Sequence, residues 1–442
     1  MKCTSRTGVL FLILAVTASE AVPSQWVRGS FAGDRPAGDR VKSMPGFSGE
    51  LPSAHFAGYI NVNNSTGRNL FYYMVSSEGD PASDPLVIWL NGGPGCSSFD
   101  GWVYEHGPFV FTHDGDGAGI PSHVNPFSWS KAASMLYIDS PSGVGFSYSE
   151  EPGDYAVDDS RTAQDLYEFV VQFLSERHPE LASLPLFIAG ESYAGVYVPM
   201  LAAEIVRGNA LRRGHSSGLS VNLKGILVGN GVTDPEFDGN ALVPFAKGKS
   251  LIDSLMHHEI QQACGHNYWN ATVGSKCDRA LAKMDAALAK LNIYDSLDTC
   301  FHNRDAPVIT PDAPRRRTRG HGVGLPTTSV GRAWPLRANV KMGLVKTWPQ
   351  LYEGLQGSPP CIDDSIARTY LNRPDVKAAL HVKPGVEWQL CTDKLQYTHD
   401  VASMIEIHLS LLSQGLEVPS TSRKSLSLSL SLSLSLSLSL SL

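Results

Sequence analysis

Ser192 has the sequence context of a nucleophile. It stands in Phe187-Ile188-Ala189-Gly190-Glu191-Ser192-Tyr193-Ala194-Gly195, which reads as an apolar strand, a tight turn and a helix beginning near Tyr193. That arrangement is a nucleophile elbow. Small residues at 190 and 194 let the chain turn sharply and hold the hydroxyl clear of a sheet. The N-terminus of the following helix favours developing negative charge. Alanine at 194 departs from the generic Gly-x-Ser-x-Gly pattern. A second passage, Asn91-Gly92-Gly93-Pro94-Gly95-Cys96-Ser97-Ser98, directly follows another apolar run. Its glycines let backbone N–H groups approach a substrate oxygen, as an oxyanion site requires. The plainer alternative is an ordinary Gly/Pro turn.

These groups need a scaffold, and four short apolar runs supply it: Leu86–Leu90, Met135–Ile138, Leu186–Ala189 and Leu223–Val228. Each ends in a glycine-rich or polar turn. Continuous apolar strands of this kind predict a mostly parallel sheet covered by helices on both faces. In such sheets the active site lies outside the C-terminal ends of the strands. A helix is expected from Asp159 to about Arg177, capped by Asp158, Asp159 and Ser160. Its apolar residues Leu166, Phe169, Val170, Phe173 and Leu174 recur at helical spacing. Strand, helix, strand gives a βαβ unit and the α/β class.

The N-terminus reads as a secretory leader, 1–21. Lys2 and Arg6 precede the apolar run Val9–Val16, and Ser19 and Ala21 suit cleavage after Ala21. That run is too short for a membrane anchor, which needs about 20 apolar residues. Of seven cysteines, Cys3 falls in the leader and six remain, an even number in an oxidising compartment. Three disulfides are the natural reading, with pairings left open by spacing alone. No CxxC pair or HExxH motif supports zinc, and no metal or cofactor is expected. Sequons at Asn63, Asn64 and Asn270 fit secretion. A net charge of −7 argues against nucleic acid as an obligatory partner.

The core is expected over 41–234, with an insertion or cap over 235–345 that includes a helical pattern at Cys277–Leu291. An exposed Pro/Gly/Arg-rich loop spans 305–338. Its cluster Arg315–Arg319 reads as a solvated, protease-sensitive loop. Residues 346–416 return to the core. From 417 the chain becomes aberrant, and Ser425–Leu442 is a strict Ser-Leu repeat. It has the form of a translated CT dinucleotide repeat.

Three blocks, Asn91–Ser98, Asp139-Ser-Pro-Ser-Gly-Val-Gly-Phe-Ser-Tyr148 and Gly190–Gly195, resemble the signatures of the serine carboxypeptidases, the family of cathepsin A and the plant serine carboxypeptidase-like proteins. Gly58-Tyr59-Ile60, Asn125–Trp129 and Tyr370-Leu371-Asn372 extend the resemblance from about Val41 to Leu416. It implies an α/β-hydrolase fold with an inserted helical cap. It also implies removal of C-terminal residues from peptides through an acyl-enzyme at acidic pH, in an extracellular, vacuolar or lysosomal setting. Ser192 would be the nucleophile, and the N–H groups of Gly93 and Tyr193 the oxyanion hole. Asn91, Glu105 and Glu191 would hold the substrate's terminal carboxylate. The implied disulfides are Cys96–Cys391, Cys264–Cys277 and Cys300–Cys361. A homodimer is compatible with this reading.

The pattern breaks near the end. The family's order is Ser, Asp, His, with the last two in Gly-Asp and Gly-His contexts after the Tyr-Leu-Asn block. Here neither Asp nor His follows His408. His381, His399 and His408 are expected at helix or surface positions. Gly265-His266 and Gly320-His321 match only the dipeptide. The expectation is therefore a truncated chain that lacks the closing part of its sheet, folds poorly and hydrolyses peptides negligibly. The alternatives are an acyltransferase of the same family, against which Glu191 argues because those relatives commonly carry Asp there, and a non-catalytic peptide-binding remnant.

Overall fold

The strands form where β-branched, aromatic and leucine residues run together. In this computed structural model they are β1 (Arg40–Val41), β2 (His55–Asn63), β3 (Arg68–Val75), β4 (Leu86–Leu90), β5 (Phe109–His113), β6 (Gly119–Val124), β7 (Ser134–Ile138), β8 (Ala156–Asp158), β9 (Leu186–Glu191), β10 (Leu223–Gly229), β11 (Gly343–Val345) and β12 (Gln396–His399). The structure describes residues 38–212, 219–288, 291–292, 297, 342–351, 359 and 362–417. The leader, the 305–338 loop, Cys300, Cys361, His321 and the Ser-Leu repeat lie outside the described residues.

Among the described residues, seven strands form the main sheet in the order β1-β2-β3-β7-β4-β9-β10. From β7 through β10 the pairs are parallel; β1, β2, β3 and β7 pair antiparallel. The parallel part is the expected one, and β4 begins and ends at the expected residues. Alternation along β4 divides the core in two. Leu86, Ile88 and Leu90 face one apolar cluster, whereas Val87 and Trp89 face the other. Helix α1 (Asp159–Gln172) covers the first face with Leu166, Phe169 and Val170, and helix α2 (Ala194–Arg212) with Leu201 and Ile205. Helix α1 ends five residues earlier than expected, because Phe173–Arg177 winds as a wider π-helical turn. Asp158 caps its start by accepting from the Arg161 N–H at 2.7 Å.

The outer edge of β10 is met, among the described residues, by Glu417, which bridges Gly225 in parallel. A small sheet, β11-β12-β8, lies apart from the main one. Helices α3 (Pro235–Gly248), α4 (Ser254–Cys264) and α5 (Lys276–Leu288) gather around a separate apolar cluster containing Val243, Ile260, Leu281 and Met284. Cys264 and Cys277 are bonded there. No helix among the described residues is long and apolar enough to cross a membrane.

Candidate active site

Strand β9 delivers its last residues to a forced turn. Ser192 adopts φ 58°, a left-handed conformation that a residue with a Cβ adopts only under constraint. The constraint is visible on every side. The Ser192 N–H donates to Gly229 O at 3.0 Å, and its carbonyl accepts from Gly195 N at 3.0 Å and Val232 N at 2.9 Å. A Cβ on Gly190 would lie 2.5 Å from Leu90 O and 2.7 Å from Ala194 Cβ. The sheet, the turn and α2 touch at that point, so position 190 has no room for a side chain, while position 194 accommodates alanine.

The Gly92–Gly93 backbone passes directly beside this turn. A Cβ on Gly92 would collide with the Tyr193 N and come within 3.0 Å of Ser192 Cβ. Gly93 sits at φ 115°. Among the described residues neither the Gly93 nor the Tyr193 N–H has a hydrogen-bond acceptor. The loop is braced from below by Asp139, whose carboxylate accepts from Ser97 Oγ at 2.6 Å, Ser98 N at 3.1 Å and Phe146 N at 2.9 Å. Burial nevertheless pushes the Asp139 carboxyl up to about 7. Cys96 is bonded to Cys391, and Trp388 Nε1 donates to Ser97 Oγ at 2.9 Å. Asp139, Ser97 and Trp388 are supports that the sequence reading did not single out.

Asn91 begins the loop, and its amide orientation is fixed by its neighbours. Oδ1 accepts from Trp89 Nε1 at 2.7 Å and Gly101 N at 3.1 Å. Nδ2 must therefore face the other way, where it meets Glu191 Oε1 at 2.9 Å and Glu105 Oε1 at 3.4 Å. The three residues expected to act together are brought together. Asp100 joins them unforeseen: carboxylate oxygens of Asp100, Glu105 and Glu191 lie within 4.8 Å of one another. Burial, then Glu191 and Asp100, raise Glu105 well above the ordinary carboxyl value. Burial raises Glu191, and burial with Glu191 and Asp364 raises Asp100. Like carboxyls at this spacing cannot all ionise cheaply, so they retain protons. Their spacing would suit a hard cation, but the Asn91 N–H groups pointing at the same oxygens oppose one.

Ser192 itself has no histidine or carboxylate on its hydroxyl among the described residues. His381 turns its ring to Ala57 O at 3.1 Å, His408 is half-buried in the helix Ile405–Ser413, and His266 is exposed beyond α4. His399 departs from the surface or helical position expected for it. It is a buried strand residue of β12, with Nδ1 2.7 Å from Asp159 Oδ2, because the β8–β12 register carries it level with Asp159. The sequons at Asn64 and Asn270 are exposed and Asn63 is half-buried.

Residues 45–419 match the family model described as serine carboxypeptidase. The chain is 47% identical over 391 residues to serine carboxypeptidase 1 of Hordeum vulgare, covering 86% of this chain and 76% of that one. It is 43% identical to serine carboxypeptidase-like 20 of Arabidopsis thaliana, covering 85% and 76%. It is 32% identical to the lysosomal protective protein of Mus musculus, covering 93% and 80%. A prohormone-processing carboxypeptidase of Saccharomyces cerevisiae aligns in three dimensions with a TM-score of 0.60 at 23% identity, over 86% of this chain and 76% of that one, a likeness of fold. The elbow at Ser192, the glycine loop beside it and these matches together place the chain, an α/β-hydrolase fold, in the serine carboxypeptidase family.

Proposed function

We propose that this site is built to cleave the last residue from a peptide through an acyl-enzyme on Ser192. The observation that carries the reading is the contact between two machines, a strained serine turn with unoccupied N–H donors beside it and the Asn91–Glu105–Glu191 cluster that includes the residue preceding Ser192. In the proposed reaction the Ser192 oxygen adds to the carbonyl carbon of the terminal peptide bond and its proton passes to a base. The carbonyl oxygen becomes an anion held by the N–H groups of Gly93 and Tyr193. The C–N bond then breaks, the leaving amine takes a proton, and water hydrolyses the ester. Asn91 and the protonated carboxyls of Glu105 and Glu191 hold the terminal carboxylate meanwhile, which suits an acidic compartment.

A serine hydroxyl is a weak nucleophile without a base beside it. The lack of one among the described residues favours a second reading, in which the 442-residue chain on its own binds peptides and turns them over negligibly. The family's other chemistry, acyl transfer, is less well supported, since Glu rather than Asp stands at 191. The exposed sequons and the two disulfides among the described residues support passage through the secretory pathway, with Asn64 and Asn270 the more accessible acceptors.

The test is a paired measurement on the 442-residue chain at pH 5. Calorimetry follows an N-blocked dipeptide acid and its amide, and an amine assay follows hydrolysis. The acid should bind at least about tenfold more tightly than the amide, as expected from a charge-assisted site; turnover above a Ser192→Ala control supports the acyl-enzyme reading for this chain, and its absence supports the second. Equal binding of acid and amide would sink the carboxylate reading. Ordinary turnover would sink the non-catalytic one.

A further inference from the structure

Beneath the serine turn lies a buried cluster of polar side chains that the chemistry above does not use. Asp159, the first residue of α1, is completely enclosed, and the His399 side chain is 2% exposed. Asp159 accepts four hydrogen bonds. On Oδ1 the donors are the hydroxyls of Tyr193 and Tyr397, each at 2.8 Å. On Oδ2 they are the ring of His399 at 2.7 Å and the Asp400 N–H at 2.9 Å. Burial works against the charge, but the His399, Tyr193 and Asp400 contacts outweigh it and hold this carboxyl below its ordinary value. A carboxylate only accepts, so Nδ1 of His399 carries a proton and the Tyr193 proton points at Asp159. The same His399 Nδ1 lies 3.1 Å from the Tyr193 hydroxyl, which it approaches as a second donor.

The cluster is assembled from three separate pieces of chain. Asp159 comes from the head of α1, Tyr397 and His399 from β12, and Tyr193 from the turn itself. Ser160 Oγ donates to Asp400 Oδ2 at 2.6 Å and locks the first two together. The Tyr193 ring packs edge-on against Tyr197 and Tyr397, with centroids 5.3 and 5.5 Å away. The anchored residue is the one that follows Ser192, and its N–H is the donor assigned above to the oxyanion.

We propose that Asp159 and His399 are positioning residues for the oxyanion site, acting through the Tyr193 hydroxyl to fix the direction of the Tyr193 N–H. The inference rests on that assignment of the N–H. A donor aimed at a developing anion must be held within a fraction of an ångström. A turn at positive φ has little intrinsic preference for such a place. Four hydrogen bonds in a buried cluster supply the restraint that the turn lacks, and they reach the N–H through one rigid tyrosine.

The experiment needs no catalytic base. An N-blocked leucine boronic acid adds to a serine oxygen, the hydroxyl proton passes to solvent, and a tetrahedral anion remains for the N–H donors. Its affinity is compared with that of an N-blocked dileucine acid, which forms no adduct, for the 442-residue chain and for Tyr193→Phe, Asp159→Asn and His399→Gln. The unmodified chain should bind the boronate in a way that Ser192→Ala abolishes. Each variant should lower the boronate-to-dipeptide affinity ratio about tenfold or more, the scale of a slightly misplaced catalytic donor. Tyr193→Phe combined with Asp159→Asn should do no worse than either alone, since both cut one link. A ratio unchanged in the variants, or effects that add, would overturn the inference while leaving the oxyanion site standing. Boronate binding by the unmodified chain that ignores Ser192 would remove the oxyanion reading and the inference with it. Should Asp159→Asn fail to melt cooperatively, Tyr193→Phe carries the test, because it deletes one oxygen and leaves the other three donors to Asp159 in place.

Discussion

Asn91 Nδ2 donates to Glu191 Oε1 at 2.9 Å, across 100 residues of sequence, and this bond opposes the burial that raises Glu191 and governs the pH behaviour of the pocket. Glu191 and Glu105 both lie above their ordinary values, chiefly through burial. Groups with raised pKa keep their protons to higher pH, and a protonated carboxyl can donate to a substrate carboxylate. As pH rises above the ordinary carboxyl value of 4.5 and through the raised values, the cluster gains charge and repels the ligand. Affinity for a peptide acid is therefore expected to be flat below about pH 4.5 and to fall on the alkaline side. Glu191→Gln, permanently neutral, should flatten that fall. Calorimetric titration across pH 4 to 8 checks both, and affinity that rises with pH would contradict the assignment.

Gly92 is where the glycine loop touches the serine turn. A Cβ there would collide with the Tyr193 N and stand 2.9 Å from Glu191 O. Backbone atoms cannot swing aside as a side chain can, so Gly92→Ala must push the loop away from the turn. The expected result is loss of most Ser192-dependent boronate binding, on the scale of about 100-fold for a removed oxyanion donor. The stability cost should be about 1–3 kcal/mol, as for overpacking elsewhere. Boronate affinity and a thermal melt of the same variant measure the two effects, and unchanged boronate binding would mean the loop is not part of the oxyanion site.

The parallel strands β4, β7 and β9 were legible because each is dominated by a continuous apolar run, whereas β10 carries Lys224 and leaves Leu227 exposed. A strand buried on both faces leaves no polar alternation to confuse the reading, and β4 is the clearest case. The β2–β3 hairpin was missed as structure, although its turn is announced by Asn64-Ser65-Thr66-Gly67 between two alternating segments. The elbow and the glycine loop were readable because both depend on local backbone geometry written in short motifs. Asp100, Asp139 and the Asp159–His399 pair were not. Each works through partners remote in sequence: Asp159 meets residues 193, 397, 399 and 400. A lone Asp after a capping Asp reads as an ordinary helix start. His399 was assigned to a helix or the surface because a four-residue strand with one charged neighbour gives too short a pattern to identify.

His178 and Asp39 form a second buried pair, with Nε2 and Oδ2 3.3 Å apart and both side chains nearly out of water. Burial alone would depress the imidazolium, but Asp39 and Glu180 outweigh it and raise His178 above 6.5. Burial would raise Asp39, and His178 with Tyr72 outweigh that in turn, leaving it below 3.8. The histidine's contribution is fully present below pH 6.5 and is lost as pH rises through its raised value. The aspartate's is present above pH 3.8 and is lost as pH falls through its lowered value. Asp39→Asn should therefore destabilise by about 1–3 kcal/mol near pH 5 and by clearly less near pH 8.5. Melting curves at the two pH values decide it, and an equal loss at both would mean that the pair is not charged in the fold.

The bond between Cys96 and Cys391 spans 295 residues of sequence and ends on the glycine loop. Its removal should act in two separable ways. Closing so long a loop restricts the unfolded chain strongly, so Cys391→Ser should cost about 2–5 kcal/mol. The Cys264–Cys277 bond spans 13 residues and joins the smaller cluster around α4 and α5. Its loss should cost less and leave the serine turn untouched. Locally, Cys391→Ser leaves the loop held by Asp139 and by the Trp388 bond to Ser97, so peptide-acid binding should weaken only modestly while global stability drops. Urea unfolding of Cys391→Ser and Cys277→Ser, paired with the calorimetric binding measurement, separates the two effects. A Cys391→Ser chain as stable as the parent would show that the long-range bond does not restrain the unfolded state, and one that is stable but no longer binds the peptide acid would make the bond a brace of the site rather than of the fold.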